Sequence, residues 1–129
     1  MYILIVEDEP FKYHSIRRVL QNHRFSSELS IDRADNLEDG IGHIRTQLDA
    51  LKPYDLVITD MWYPEESGGK EERSGEKLIE KLKEYGWHIP VILCSSVNYS
   101  HPDIVGCVFY SENENWEAKL LELVGKVGN

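Results

Sequence analysis

Acidic residues follow two short apolar runs of the chain, and their positions suggest a shared site. Glu7 and Asp8 come directly after the run Tyr2–Val6, and Asp60 comes directly after Leu56–Thr59. Such runs are typical of strands that are buried on both faces of a parallel sheet. Open α/β sheets bind their ligands at the carboxyl ends of their strands. We therefore expect the three carboxylates to meet at one sheet edge.

Three carboxylates at close range repel one another, so either one is protonated or a cation neutralises them. Oxygen ligands in an open, wet site suit Mg²⁺, which also binds phosphate oxygens. With that charge screened, Asp60 is a candidate nucleophile that would form an aspartyl phosphate. Ser95, at the end of a later apolar run, would bring a hydroxyl close to the phosphate. The simpler alternative is that Glu7–Glu9 only begin a helix and that Asp60 caps a loop.

Five apolar runs alternate with amphipathic helical patterns along the chain. The predicted strands are Tyr2–Val6, Glu28–Arg33, Leu56–Thr59, Ile89–Cys94 and Gly106–Tyr110. The predicted helices run from Pro10 to about Asn22, from Leu37 to Leu51, from about Gly75 to Tyr85, and from Trp116 to Val127. This alternation predicts a doubly wound, flavodoxin-like α/β fold with a five-stranded parallel sheet of order 2-1-3-4-5. In that order the first and third strands are neighbours.

Local signals set the ends of these elements. The first helix should bury an apolar stripe, Asp35 or Asn36 should cap the second helix, and Ser74 should cap the third. The stripe consists of Phe11, Ile16, Val19 and Leu20. Residues 65–73 contain no apolar side chain and predict a solvated loop, while residues 24–27 predict a connection.

The segment Val97–Val105 has nine residues and includes Pro102. A crossover between parallel strands usually needs about ten to twelve residues or more. We therefore expect one helical turn or none, so that the fourth helix of a five-helix arrangement is shortened or missing.

Composition limits the function classes. The 129 residues predict a single domain over residues 1–129, and the net charge of −9 argues against direct binding to a nucleic-acid backbone. No apolar run approaches the roughly 20 residues of a membrane span, and the amino end does not resemble a signal peptide, so a cytoplasmic location is expected. In that reducing compartment, Cys94 and Cys107 are expected to be buried free thiols.

Three motifs together resemble those of the receiver domains of two-component response regulators: ILIVEDEP, LVITDMWYP and PVILCSS. The resemblance covers nearly the whole chain and implies a (βα)5 fold. It also implies that Glu7 and Asp8 form an acidic pair, with Asp8 the more direct Mg²⁺ ligand. By the same resemblance Asp60 is the phosphoacceptor, Trp62 offers a backbone carbonyl to the metal, and Ser95 supplies the hydroxyl that contacts the phosphate.

One position departs from the family pattern. Receiver domains carry a lysine at the end of the last strand, where it pairs with the acyl phosphate, and Tyr110 occupies that place here. A phenol can donate a hydrogen bond but brings no positive charge. Lys70 or Arg73, on the long loop after Asp60, are alternative sources of that charge, although the simpler interpretation is that both are solvated.

The resemblance implies a signalling function rather than conventional catalysis. We expect a receiver that takes a phosphoryl group on Asp60 from a sensor histidine kinase or phosphotransfer protein and passes the signal to an unidentified downstream protein. Its only enzymatic activity would be its own phosphorylation and dephosphorylation, and it would be a monomer or weak dimer. The alternative is a pseudo-receiver, a protein-binding module that works without phosphorylation. A phosphohydrolase of the haloacid dehalogenase type is disfavoured, because it would need a second aspartate at the position of Trp62.

Overall fold

A five-stranded parallel sheet forms the centre of the computed structural model, which describes residues 1–23 and 28–127. The strands are β1 (Tyr2–Val6), β2 (Ser30–Ala34), β3 (Leu56–Thr59), β4 (Tyr63–Pro64), β5 (Glu71–Glu72), β6 (Val91–Ser95) and β7 (Gly106–Phe109). The helices are α1 (Pro10–Asn22), α2 (Leu37–Asp49), α3 (Ser74–Tyr85) and α4 (Trp116–Val127). The sheet order is β2-β1-β3-β6-β7, and β4 and β5 form a separate hairpin. Without that hairpin the order is 2-1-3-4-5, which confirms the predicted doubly wound fold.

Both faces of the sheet are covered, which explains why its strands are continuously apolar. Along β1, Ile3 and Ile5 belong to the core that also includes apolar residues of α1 and α4, whereas Leu4 and Val6 belong to the core shared with α2 and α3. This alternation follows from the two-residue period of a strand.

Polar side chains begin two of the helices. Glu9 caps α1 and accepts hydrogen bonds from the backbone N–H groups of residues 11 and 12, and Asn36 caps α2 through the N–H of Asp39 at 2.8 Å. Ser74, predicted as a cap, is instead the first residue of α3, and its hydroxyl donates to the carbonyl of Tyr63 at 2.6 Å. The prediction failed because that hydroxyl is bound by the hairpin. Gly86 ends α3 in the left-handed conformation, at φ 70°.

Three connecting segments differ in how they compare with the sequence expectations. The loop expected at residues 65–73 contributes strand β5, which pairs with β4 through Tyr63 and Pro64, because a strand pair can form from backbone hydrogen bonds without apolar residues. Residues 97–105 form turns and bends without a helix, as the short crossover predicted. The connection expected at residues 24–27 lies outside the described residues.

In the described part of the chain, no helix is both long enough and apolar enough to span a bilayer.

The two cysteines are both free but differ in exposure. Cys94 is fully buried in β6, and burial raises the pKa of its thiol to about 12, whereas Cys107 is only partly buried, contrary to expectation. Thiolate, not thiol, is the reactive form. We therefore expect an aromatic disulfide reagent to titrate one thiol quickly in the native protein and two after denaturation. Cys107→Ser should abolish the fast reaction, and two fast thiols in the native protein would contradict this assignment.

Candidate functional site

The register of the two central strands brings the predicted acids together. Val6 pairs with Thr59, and the N–H of Asp60 donates to the carbonyl of Val6 at 3.1 Å. The residues that follow β1 and β3 therefore share one edge of the sheet. Carboxylate oxygens of Glu7, Asp8 and Asp60 all lie within 4.8 Å of one another. The three acids are therefore close enough for one cation to contact all of them.

The three carboxylates differ in their contact with solvent. Glu7 is 1% exposed, whereas Asp8 and Asp60 are partly exposed. Burial raises the pKa of Glu7 to about 7, with the charge of Asp60 acting in the same direction and Lys12 opposing both. A positive charge at this edge would therefore stabilise the ionised form of Glu7.

Lys12 lies within this site, although the sequence patterns do not indicate it. Its side chain is buried, and its Nζ lies 2.8 Å from Glu7 Oε1 and 3.1 Å from Asp60 Oδ1. The same ammonium donates a hydrogen bond to the carbonyl of Cys94 at 2.7 Å. Burial lowers the pKa of Lys12, but the charges of Glu7 and Asp60 outweigh that effect and raise it above its usual value. The acidic site therefore contains a positively charged group of the protein itself, the Lys12 ammonium.

Lys12 lies on the buried face of α1, whereas Phe11 does not. Phe11 was predicted to face the core but is 74% exposed, whereas Lys12 is 8% exposed. Lys12, Ile16 and Leu20 are spaced four residues apart and are all buried. Residues at that spacing share one helix face. Following this row backwards from Ile16 would have identified Lys12 as an inward-facing charge.

The backbone after β3 holds Asp60 in place. The N–H of Met61 donates to Asp60 Oδ1 at 2.7 Å, and the hydroxyl of Thr59 donates to the backbone carbonyl of Asp60 at 2.8 Å. The N–H of Gly75 in α3 donates to the carbonyl of Met61 at 3.0 Å. Asp60 is thus oriented by a turn that is anchored to the next helix.

A cavity of about 340 Å³ opens onto the acids, and several predicted site residues line it. Trp62, 39% exposed, and Tyr110 are among them, and the Tyr110 ring centroid lies 5.2 Å from Lys12 Nζ. Ser95 is buried, and its Oγ accepts a hydrogen bond from the N–H of Val97 at 3.3 Å. The serine that lines the cavity is Ser96.

The two cations considered on the long loop differ from Lys12 in their surroundings. The Arg73 guanidinium lies 3.0 Å from Glu76 Oε2 and packs over the rings of Trp62 and Tyr99. Lys70 is exposed at the tip of the hairpin. Arg73 is therefore engaged by Glu76, and Lys12 is the cation that contacts Asp60.

The hairpin contributes a further acid to the cavity. Glu71, on β5, lines the same space as Glu7 and Asp60. Glu71 is exposed, but slight desolvation of its carboxylate raises its pKa, and Asp8 and Asp60 add to that effect. The rim of the cavity is thus more acidic than the three predicted residues alone would make it.

The donor set fits a hard divalent cation. All three clustered side chains offer carboxylate oxygens, and two of them reach solvent. Among the described residues, the partner of the buried Glu7 Oε1 is the ammonium of Lys12, at 2.8 Å. Hard oxygen ligands beside an open, wet cavity are the kind that Mg²⁺ and Mn²⁺ bind.

Comparison with known proteins agrees with this geometry. A family model for the response regulator receiver domain matches residues 3–110. No curated protein matches the chain significantly.

Similar solved structures include a phosphorylated cyanobacterial phytochrome response regulator, RcpA. It is 16% identical, with a TM-score of 0.66, and the match covers 98% of this chain and 89% of that one. The isolated receiver domain of RcsB from Salmonella enterica serovar Typhimurium, solved with phosphomimetic BeF₃⁻, is 19% identical with a TM-score of 0.66, over 98% and 88% of the two chains. The Mn²⁺-bound response regulator Rcp1 is 15% identical with a TM-score of 0.65, over the same shares. At these identities the structural matches establish the fold.

Proposed function

Because this chain belongs to the receiver domain family of response regulators, we propose that it accepts a phosphoryl group on Asp60 as a step in two-component signalling. A receiver domain is not a conventional enzyme, so the function lies in the phosphorylated state rather than in a released product. The observation that carries the proposal is the cluster of Glu7, Asp8 and Asp60 within 4.8 Å at the carboxyl edge of the sheet.

We assign the divalent cation of this site to Mg²⁺, held by Glu7, Asp8, Asp60 and the backbone carbonyl of Trp62. Mg²⁺ would neutralise the carboxylates and so allow an anionic phosphoryl donor to approach. Asp8 would be the direct ligand, and Glu7 would act largely through water.

The chain itself positions the reacting carboxylate. Met61 N–H fixes the orientation of Asp60 by donating to Oδ1, and the turn anchored by Gly75 holds the backbone. A carboxylate oxygen of Asp60 forms a bond to phosphorus as the bond between phosphorus and the donor atom breaks, a nitrogen in phosphohistidine or an oxygen in acetyl phosphate. The donor leaves with the electron pair. Water later attacks phosphorus and breaks its bond to the Asp60 oxygen, which restores the carboxylate and releases inorganic phosphate. Phosphoryl transfer depends mainly on such positioning and on charge neutralisation.

Ser95 and Tyr110 are proposed to read the phosphorylated state. Ser95 lies at the end of β6, and its Oγ accepts a hydrogen bond from the N–H of Val97, which leaves the hydroxyl proton free to be donated to a phosphate. Tyr110 follows β7 and lines the cavity beside Lys12. We infer that a sensor histidine kinase or phosphotransfer protein supplies the phosphoryl group in a cytoplasmic pathway and that a downstream protein reads it.

A pseudo-receiver is the second candidate, and one observation favours it. Lys12 already pairs with Glu7 and Asp60, so a cation balances the acids without any metal. In that case the fold would serve as a binding module that needs no phosphoryl group.

Intact mass after incubation with acetyl phosphate and Mg²⁺ separates the two candidates. The proposal predicts one added phosphoryl group that disappears with Asp60→Asn and without metal. Asp55→Asn is a matched control, because Asp55 is exposed and its carboxylate accepts a hydrogen bond from the N–H of Tyr2, at the opposite end of β1. An adduct that survives Asp60→Asn would refute the assignment of the phosphoacceptor.

A further inference from the structure

Lys12 occupies an unusual position for a lysine in a small domain. It lies in the first turns of α1, its side chain is almost fully buried, and its ammonium reaches two carboxylates and one backbone carbonyl. One of those carboxylates is Asp60. A buried charge is costly unless it is paired, and a hydrophobic residue is often at least as good for stability. Stability alone is therefore a weak reason for a lysine at this position.

The ammonium also has two partners outside the acidic cluster. The carbonyl of Cys94 belongs to β6 and is fixed by the sheet, and it accepts a hydrogen bond from Lys12 at 2.7 Å. The Tyr110 ring lies 5.2 Å away, and Tyr110 in turn packs on Trp116 of α4. Lys12 would therefore keep its place when the charge on Asp60 changes.

We propose that Lys12 is the cation that binds the phosphoryl group on Asp60, delivered from helix α1 rather than from the end of the last strand. This proposal rests on the proposed function of Asp60 as phosphoacceptor. Nζ already lies 3.1 Å from Asp60 Oδ1, so a group bonded to that carboxylate is within its reach.

Charge balance supports this role. Transfer converts the Asp60 carboxylate into a neutral acyl ester and adds a phosphoryl group with up to two negative charges at the same place. Lys12 thus exchanges one anionic partner for a more highly charged one, and the interaction grows stronger as the phosphoryl group arrives. Groups that stabilise charge developing during reaction contribute to rate, and removal of one such group costs about 10²- to 10³-fold.

A purely structural counter-ion would behave differently. If Lys12 only balances Glu7 and Asp60, its loss makes the site more negative and Mg²⁺ binds more tightly, while binding of the phosphoryl mimic at saturating Mg²⁺ changes little because no contact to the mimic is lost. If Lys12 holds the phosphoryl group, the two affinities move in opposite directions. Binding of Mg²⁺ and of beryllofluoride, a phosphoryl mimic, therefore distinguishes the two roles.

The test compares the wild-type full chain with the variants Lys12→Met, Lys12→Gln and Lys12→Arg. Tryptophan fluorescence reports binding of Mg²⁺ in a first titration. A second titration adds beryllofluoride at saturating Mg²⁺. Lys126→Met is the control, since it removes the same charge from an exposed position on α4. Circular dichroism establishes that each variant is folded, and Lys12→Gln replaces Lys12→Met if the latter does not fold.

We expect both neutral variants to bind Mg²⁺ at least as tightly as the wild type but beryllofluoride at least about tenfold more weakly, with phosphorylation by acetyl phosphate slowed by about 10²-fold. Lys12→Arg should recover part of both losses, and Lys126→Met should match the wild type. If a neutral variant binds beryllofluoride and accepts the phosphoryl group as the wild type does, the proposed role of Lys12 is overturned, while Asp60 remains the phosphoacceptor. A wild-type protein that does neither would overturn the proposed function, and this inference with it.

Discussion

Gly75→Ala should destabilise the domain by about 3 kcal/mol or more and remove metal binding at the same time. A Cβ at Gly75 would lie 2.1 Å from the Asp60 carbonyl oxygen and 2.8 Å from the Met61 Cα. Both are backbone atoms, so the clash can be relieved only by moving the turn that orients Asp60. Overpacking usually costs about 1–3 kcal/mol of stability. Because these backbone atoms cannot easily move aside, we expect this substitution to cost about 3 kcal/mol or more.

Urea unfolding measures this effect, and Gly42→Ala is its matched control. A Cβ at Gly42, inside α2, meets nothing within 4 Å, so alanine there should stabilise the protein by up to about 1 kcal/mol through helix propensity. Equal effects of the two substitutions would show that α3 does not pack against the Asp60 turn as closely as described.

Glu7→Gln should have opposite effects on metal binding and on stability. Loss of one of three clustered carboxylates should weaken Mg²⁺ binding at least about tenfold. Without metal, however, the variant should be more stable than the wild type at neutral pH. Burial raises the pKa of Glu7 from 4.5 to about 7, so the folded state disfavours its ionised form, and a neutral amide avoids a cost of about 1–3 kcal/mol.

The pH dependence of that cost has a definite sign. A carboxyl group with a raised pKa in the folded state binds a proton more tightly there than in the unfolded chain. The protonated Glu7 carboxyl therefore contributes fully to stability below about pH 4.5, and this contribution is lost as the pH rises through about 7. Thermal unfolding in EDTA should show a smaller stability difference between the two proteins at pH 5 than at pH 8. A wild type that exceeds Glu7→Gln in stability at pH 8 without metal would contradict this account.

The sheet and the acids could be predicted because their signals are local. Leu56–Thr59 is apolar at every position and ends at Asp60, so strand and carboxylate follow from one short stretch of sequence. The prediction that Glu7 and Asp60 converge needed only the order of the strands, since parallel strands place their carboxyl ends together.

The missed features depend on contacts between distant residues. The four-residue spacing within α1 places Lys12 on the inward face, but the partners that allow its burial, the carbonyl of Cys94 and the acids, are not visible in the sequence of α1. Ser74 appeared to be a helix cap, but its hydroxyl is bound by Tyr63, eleven residues earlier. In both cases the tertiary partner, and not the local propensity, decided the role of the side chain.

Binding of beryllofluoride in the presence of Mg²⁺ tests the central claim most directly, because the result does not depend on the lifetime of an aspartyl phosphate. Trp62 lines the cavity that contains Asp60, and Trp62→Phe assigns the fluorescence signal to it. The proposed function predicts a saturable change that requires Mg²⁺ and beryllofluoride together and disappears with Asp60→Asn. Absence of any change in the wild type, or an unaltered change in Asp60→Asn, would contradict the claim that Asp60 is a phosphoacceptor.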